Sequence, residues 1–279
     1  MNLIARFGLA CASVLIAWPA QAEDPCPEWV ARIPTLSKSE CAKLDLQPST
    51  GRSVQGRMLW THDVAPAHAS LKVLVLGTIH GDERSAAAVT LRWMALAQAL
   101  PENTHWRFIP VLNPDGLLRR GGARRTNAHG VDLNRNFPTP NWHDQARTYW
   151  AKTTRKDPRR YPGPAPLSEP ESRFLVEQLR EFKPDVVVSV HAPFGVLDFD
   201  GALTPPAQLG RLYLDPLGVY PGSLGHYGGV HNSMPVVTVE LPHAIKVPPR
   251  AEVLSMWQDL RRWLDRTVVA QKKSTDVLR

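Results

Sequence analysis

The sequence predicts an α/β fold: a single domain with a mixed, largely parallel central sheet flanked by helices. Three observations carry this. Residues 71–79, 184–193 and 234–243 contain continuous apolar runs, as expected of strands buried on both faces. Helix-forming segments with 3.6-residue spacing lie between and after these runs, the alternation that builds a parallel sheet. His80, His191 and Glu240 all fall at or just after the carboxyl ends of predicted strands, where open sheets of this kind gather their ligands.

Taken in chain order, "MNLIARFGLACASVLIAWPAQA" has one arginine, an apolar stretch from Phe7 to Trp18 and the small-x-small triplet Ala20-Gln21-Ala22. That pattern predicts a secretory signal peptide over 1–22, removed on export. Its apolar stretch is shorter than the ~20 residues a bilayer span needs, and no later segment reads as a membrane span. Cys11 leaves with the signal, so Cys26 and Cys41 remain as an even pair in an oxidising compartment. A disulfide between them would close a loop of about 15 residues, worth on the order of 3 kcal/mol, within an N-terminal extension over 23–50. The catalytic domain is expected over 51–272, with a frayed tail at 273–279.

"GRSVQGRMLWTHDV" (51–64) reads as an exposed strand, and "LKVLVLGTI" (71–79) as a buried one. "SAAAVTLRWMALAQAL" (85–100) has helical spacing and high alanine content. "WRFIPVLNPDG" (106–116) is a strand closed by a strong turn signal. Residues 117–167 are irregular, and a loop that long inside a compact domain is usually functional or disordered. "LSEPESRFLVEQLREF" (167–182) restores a helix, with Ser168 and Glu171 at capping-box spacing and Pro170 in the first turn. Strands at 184–193 and 234–243 follow, then an amphipathic helix over 249–271.

Composition narrows the function classes. Hydrophobic content of 43% and charged content of 21% are ordinary for a globular chain. The net charge of +7 favours acidic small partners or an anionic envelope. Nucleic acid is not expected, because the basic residues are mostly dispersed rather than gathered in a stripe.

Zinc catalysis needs three protein ligands and an open position. His80 and Glu83 come from one turn, and His191 could complete the set; Asp82, between the first two, reads as the helix cap. A base must also take a proton from water and deliver it to a leaving amine, and Glu240 is a carboxylate inside an otherwise apolar strand. "RTNAHGVDLNRNFP" (125–138) supplies basic and amide side chains.

With His80-x-x-Glu83, Asn134-Arg135 in "GVDLNRNF", "SEPE", the strand-end His191 and Glu240 in "TVELP" in that order, the chain resembles the zinc metallocarboxypeptidases over roughly 70–265. The resemblance implies one zinc ion held by His80, Glu83 and His191, with Glu240 as general base and acid. It implies that Asn134 and Arg135 hold the substrate's terminal carboxylate, which a guanidinium can bind bidentately. Arg125 would polarise the scissile carbonyl, although the adjacent Arg124 could also reach inward. Tyr227, in the Gly-rich segment 221–235, matches a tyrosine that closes over substrate, and His226 and His231 are not needed as ligands. The remaining histidines, His62, His68, His105, His129, His143 and His243, read as surface or loop residues.

The motif wording is most similar to the bacterial murein tripeptide amidase branch, which cuts the γ-D-glutamyl–diaminopimelate bond of peptidoglycan stem peptides. That implies a periplasmic enzyme on an acidic substrate. Asp198 and Asp200 could pair with the free amine of diaminopimelate, or cap backbone amides in a turn. Other readings are an L,D- or D,L-carboxypeptidase on the same stem, a general protein carboxypeptidase, an N-acyl amino acid deacylase, and a non-catalytic wall-binding module.

Overall fold

Seven strands form the central sheet, and their pairing follows from where the apolar residues lie. The structure is a computed structural model that describes residues 24–100 and 103–277; the expected signal segment lies outside these residues. The strands are β1 (Gln47–Arg52), β2 (Met58–Val64), β3 (Leu71–Gly77), β4 (Thr104–Ile109), β5 (Val186–His191), β6 (Val196–Asp200) and β9 (Val236–Glu240). A small separate hairpin supplies β7 (Gln208–Leu209) and β8 (Leu212–Tyr213). The order across the main sheet is β1-β2-β4-β3-β5-β9-β6. Strands β4, β3, β5 and β9 are mutually parallel; β1, β2 and β6 add antiparallel edges.

The helices are α1 (Cys26–Arg32), α2 (Lys38–Cys41), α3 (Arg84–Ala99), α4 (Pro114–Leu117), α5 (Trp142–Thr148), α6 (Pro170–Phe182), α7 (Arg250–Trp263) and α8 (Ala270–Val277). Val73 and Val75 of β3 pack in one core with Trp93 of α3 and Trp257 of α7. Leu74 and Leu76 of the same strand pack in a second core with Phe174 and Leu175 of α6. Alternate residues of a strand point to opposite faces, so burial on both faces explains why β3 is apolar from Val73 onward, after the exposed Lys72. Cys26 and Cys41 are disulfide-bonded, tying α1 to α2. No helix among the described residues is long and apolar enough to cross a membrane.

Several local expectations are corrected. The segment read as one exposed strand is a hairpin: Ser53 N–H donates to Arg57 O, and β1 pairs with β2 around that turn. The cap of α6 is Glu169 without a side-chain bond. Glu171 is buried, accepting instead from Val54 N–H and Asn127 Nδ2. Tertiary partners outbid a local cap there. His62 is a buried β2 residue with Nδ1 against Asp45 O, not a surface one. The segment 117–167 contains α5 and short turns of helix, and α8 carries helix through Val277 into the expected frayed tail.

Candidate metal and substrate site

Strand β3 lies between β4 and β5, so the chain order reverses beside it, and the crevice beyond such a switch point is where open α/β sheets bind ligands. Gly77 pairs with Val190, which brings the turn after β3 beside His191 at the end of β5. The turn is tightly built. Thr78 has φ 53°, a left-handed conformation unusual for a β-branched residue. A β-carbon at Gly81 would overlap the backbone of Gly116 and Leu117, so only glycine allows α4 to approach this closely.

His80, Glu83 and His191 are all buried, and one ligand atom from each lies within 4.8 Å of the others. His80 Nδ1 is 3.2 Å from His191 Nδ1 and 2.8 Å from Glu83 Oε1, while His191 Nδ1 is 3.1 Å from Glu83 Oε2. A tetrahedral zinc with bonds of about 2.1 Å separates its ligands by about 3.4 Å. These spacings fit one zinc ion, and two imidazoles with a carboxylate are the donor chemistry it takes. Burial alone would raise the Glu83 pKa, but the two histidines outweigh it and hold the group well below the usual carboxylate range.

Behind the set stands Asp132, a fully buried carboxylate that sequence reasoning did not single out. Its Oδ1 lies 3.1 Å from His80 Nε2 and accepts from Asn134 N–H, and its Oδ2 accepts from Arg125 Nε at 3.0 Å. A carboxylate on the second nitrogen of a ligand histidine fixes the ring's tautomer and orientation. Burial opposes ionisation of Asp132, yet Arg125 and then His80 hold its pKa well below the ordinary range. The signal was within "GVDLNRNF", two residues before Asn134, but nothing local to the sequence reveals which carboxylate meets a histidine 52 positions away.

Asp132 also resolves the choice of arginine. Arg125 bonds it, approaches Glu83 Oε1 at 3.5 Å and lines the cavity described below, whereas Arg124 does not line it. Glu240 ends β9 directly across from His191 in the parallel register, buried and with Phe194 N–H nearby. Burial pushes its pKa up; His191 opposes this and Glu83 adds to it. Asn134 Oδ1 accepts from Leu224 N–H, which directs the amide and leaves its NH2 to donate elsewhere. Arg135 is buried, its Nε lacks a hydrogen-bond partner among the described residues, and its guanidinium lies 4.6 Å from the centre of the Tyr220 ring.

These groups border one cavity of about 520 Å³. His80, Glu83, His191, Glu240, Arg125, Asn134, Arg135, Asp198 and Asp200 all line it. Tyr227 does not: it stacks on Phe137 at 5.9 Å and packs against the second core, while Tyr220 occupies the wall over Arg135. Asp82 does not cap α3, whose N-cap is Glu83 without a side-chain bond; it pairs at the rim with Arg159 at 2.8 Å. Asp198 and Asp200 sit on edge strand β6 rather than in a turn.

The sequence profile of the M14 peptidases, zinc carboxypeptidases, matches residues 39–197. Murein peptide amidase A of Escherichia coli K12 is 32% identical over 240 residues, covering 82% of this chain and 96% of that protein. The crystal structure of murein-tripeptide amidase from Escherichia coli O157 superposes with a TM-score of 0.56 at 27% identity, over 77% of this chain and 88% of that one. Carboxypeptidase A from Helicoverpa armigera gives a TM-score of 0.59 at 19% identity, over 77% and 67% of the two chains, a likeness of fold.

Proposed function

The chain belongs to the zinc carboxypeptidase family, and on that premise we propose that it is an exported peptidase of peptidoglycan stem peptides. The bond we assign is the γ-D-glutamyl–meso-diaminopimelate linkage of murein tripeptide. The observation that carries this reading is the gathering of His80, Glu83, His191, Glu240, Arg125, Asn134 and Arg135 around one cavity, in a chain matching nearly the whole length of murein peptide amidase A.

In this reading Arg135 and Asn134 bind the carboxylate of the residue to be released. The planar guanidinium can donate two parallel hydrogen bonds, and its buried Nε needs such an acceptor. Arg125, held by Asp132, donates to the scissile carbonyl oxygen as negative charge develops there. Zinc, when bound by His80, Glu83 and His191, supplies Lewis-acid activation of water and carbonyl. Glu240 accepts the proton of the attacking water and returns it to the departing amine nitrogen; a burial-raised pKa suits a group that must both take and give. Periplasmic location is supported by the export signal expected at 1–22 and by the Cys26–Cys41 disulfide, a bond typical of oxidising compartments.

The deciding experiment incubates the zinc-loaded protein with tri-, tetra- and pentapeptide stems and identifies products by mass. Release of free diaminopimelate from tripeptide is expected. Loss of D-alanine from tetrapeptide instead would replace the proposed bond with another on the same stem. Hydrolysis of ordinary peptides with every stem intact would reject the substrate class.

A further inference from the structure

We propose that Arg159 selects the acyl side of the bond: steered over the cavity by Asp82, its guanidinium binds a carboxylate on the residue that contributes the scissile carbonyl. This deepens the peptidase reading and rests on it. For the linkage assigned above, that group is the free α-carboxylate of the γ-D-glutamyl residue.

The segment after α5 concentrates positive charge, setting Lys152, Arg155, Lys156, Arg159 and Arg160 against one acid, Asp157. Its far end is firmly held. Trp150 Nε1 donates to Asp157 O, Arg159 N–H donates to Asp157 Oδ1, and Asp132 N–H donates to Tyr161 O. The residue whose carboxylate supports His80 thus also anchors this segment, two positions from Arg159.

Arg159 and Arg160 both border the cavity, but they serve different ends of it. Arg159 Nη2 donates to Asp82 Oδ2 at 2.8 Å, and Asp82 lies in the turn between His80 and Glu83. Gly81 N–H donates to Arg125 O, which sets that turn beside the arginine assigned to the scissile carbonyl. Arg160 bears instead on Arg135, whose pKa is lowered by burial first and then by the charges of Arg125 and Arg160. Arg159 therefore stands with the acyl side, and Arg160 with the anchor of the released residue.

The ion pair with Asp82 orients Arg159 without using up its donors. A guanidinium carries five N–H groups in a planar fork, and no acid other than Asp82 lies in ion-pair range of it among the described residues. Its side chain is 57% exposed, open to a ligand in the cavity. Such a fork suits a carboxylate. A γ-glutamyl linkage supplies one that an ordinary peptide bond does not: the carbonyl comes from the side chain, so the α-carboxylate stays free. It lies four bonds from the carbonyl carbon, about 5 Å when extended. An α-linked glutamate carries its side-chain carboxylate at the same number of bonds and shares the chemistry.

The test measures kcat/KM of the zinc-loaded full chain on peptides that all end in diaminopimelate and differ only in the residue before it. That residue is γ-linked D-glutamate, the same with its α-carboxylate amidated, α-linked L-glutamate or α-linked L-glutamine. The γ-linked acid is expected to exceed its amide by about tenfold, the lower end of what a hydrogen bond to a charged group supplies. The excess should shrink as salt is raised, because Arg159 is exposed. In Arg159→Gln the acid-to-amide ratio should fall towards one, a change that a general loss of folding would not produce. Arg159→Lys should keep part of the ratio, as a charge without the fork. A preference for acid confined to the α-linked pair would overturn the γ-glutamyl assignment. Equal wild-type efficiencies on each acid and its amide, or a ratio that Arg159→Gln leaves intact, would overturn the subsite and leave the peptidase reading standing. No hydrolysis of any of these peptides would overturn both.

Discussion

Replacing Asp132 by Asn keeps the volume of a fully buried side chain and removes its charge. The remaining carbonyl oxygen can still face His80 Nε2 and Asn134 N–H. The new NH2 would then confront Arg125 Nε, turning a 3.0 Å ion pair into two opposed donors. Arg125, with its side chain 16% exposed, keeps only the longer contact to Glu83 at 3.5 Å. Removing one partner of a buried pair costs about 3–5 kcal/mol. The conserved volume and surviving Oδ1 contacts place the expected loss near the lower end, about 3 kcal/mol. Losing the carboxylate behind a ligand histidine typically weakens metal binding about 10–100-fold. Because the folded pKa of Asp132 lies below the ordinary carboxylate value, its contribution is complete above that value and disappears only as pH falls through the folded pKa. The deficit of Asp132→Asn should therefore persist across neutral pH and narrow only in acid. Chelator competition measures zinc affinity, and thermal melts between acid and neutral pH measure stability. Wild-type zinc affinity together with a wild-type Tm at pH 7 would refute this account of Asp132.

Glu240→Gln should lower kcat by about 10²–10⁴-fold while the protein still binds one zinc, since general acid–base catalysis contributes on that scale; full activity would eliminate Glu240 as the proton carrier. Asp200→Asn should raise Tm at pH 8 but not at pH 4. A carboxyl whose pKa rises from the ordinary 3.8 to about 6 on folding destabilises the fold once ionised, fully so above pH 6; a lower Tm at pH 8 would contradict this. Replacing Cys26 and Cys41 by serine should cost about 3 kcal/mol, read from urea melts of the non-reduced proteins. Equal midpoints would show that the bridge contributes nothing to stability.

Much of the site was legible because its residues sit at element ends that leave strong local signals. An apolar run ending in histidine, as in "VVVSVHAP", announces a strand whose last side chain must meet something polar. His80-x-x-Glu83, His191 and Glu240 were found this way, and the sheet register then set them at one edge, whereas Asn134-Arg135 was identified only through the family resemblance. Asp132 left no such signal, since its partners are 52 residues before it and 7 before it, on separate segments. Tyr220, just before the Gly-rich segment, was likewise not singled out, because sequence alone does not reveal which of two nearby rings turns towards Arg135.

Pattern and composition determined the α/β class, the buried strands, the cysteine pair and the residue types able to hold zinc. These depend on period, burial and chemistry, all of which are local. Only the tertiary structure decided which carboxylate supports His80, which arginine reaches inward, and that Asp198 and Asp200 both line the cavity from one edge strand. Those facts depend on register and on the approach of distant segments: moving one strand by a single residue would turn the aspartates out of the cavity while leaving the sequence unchanged.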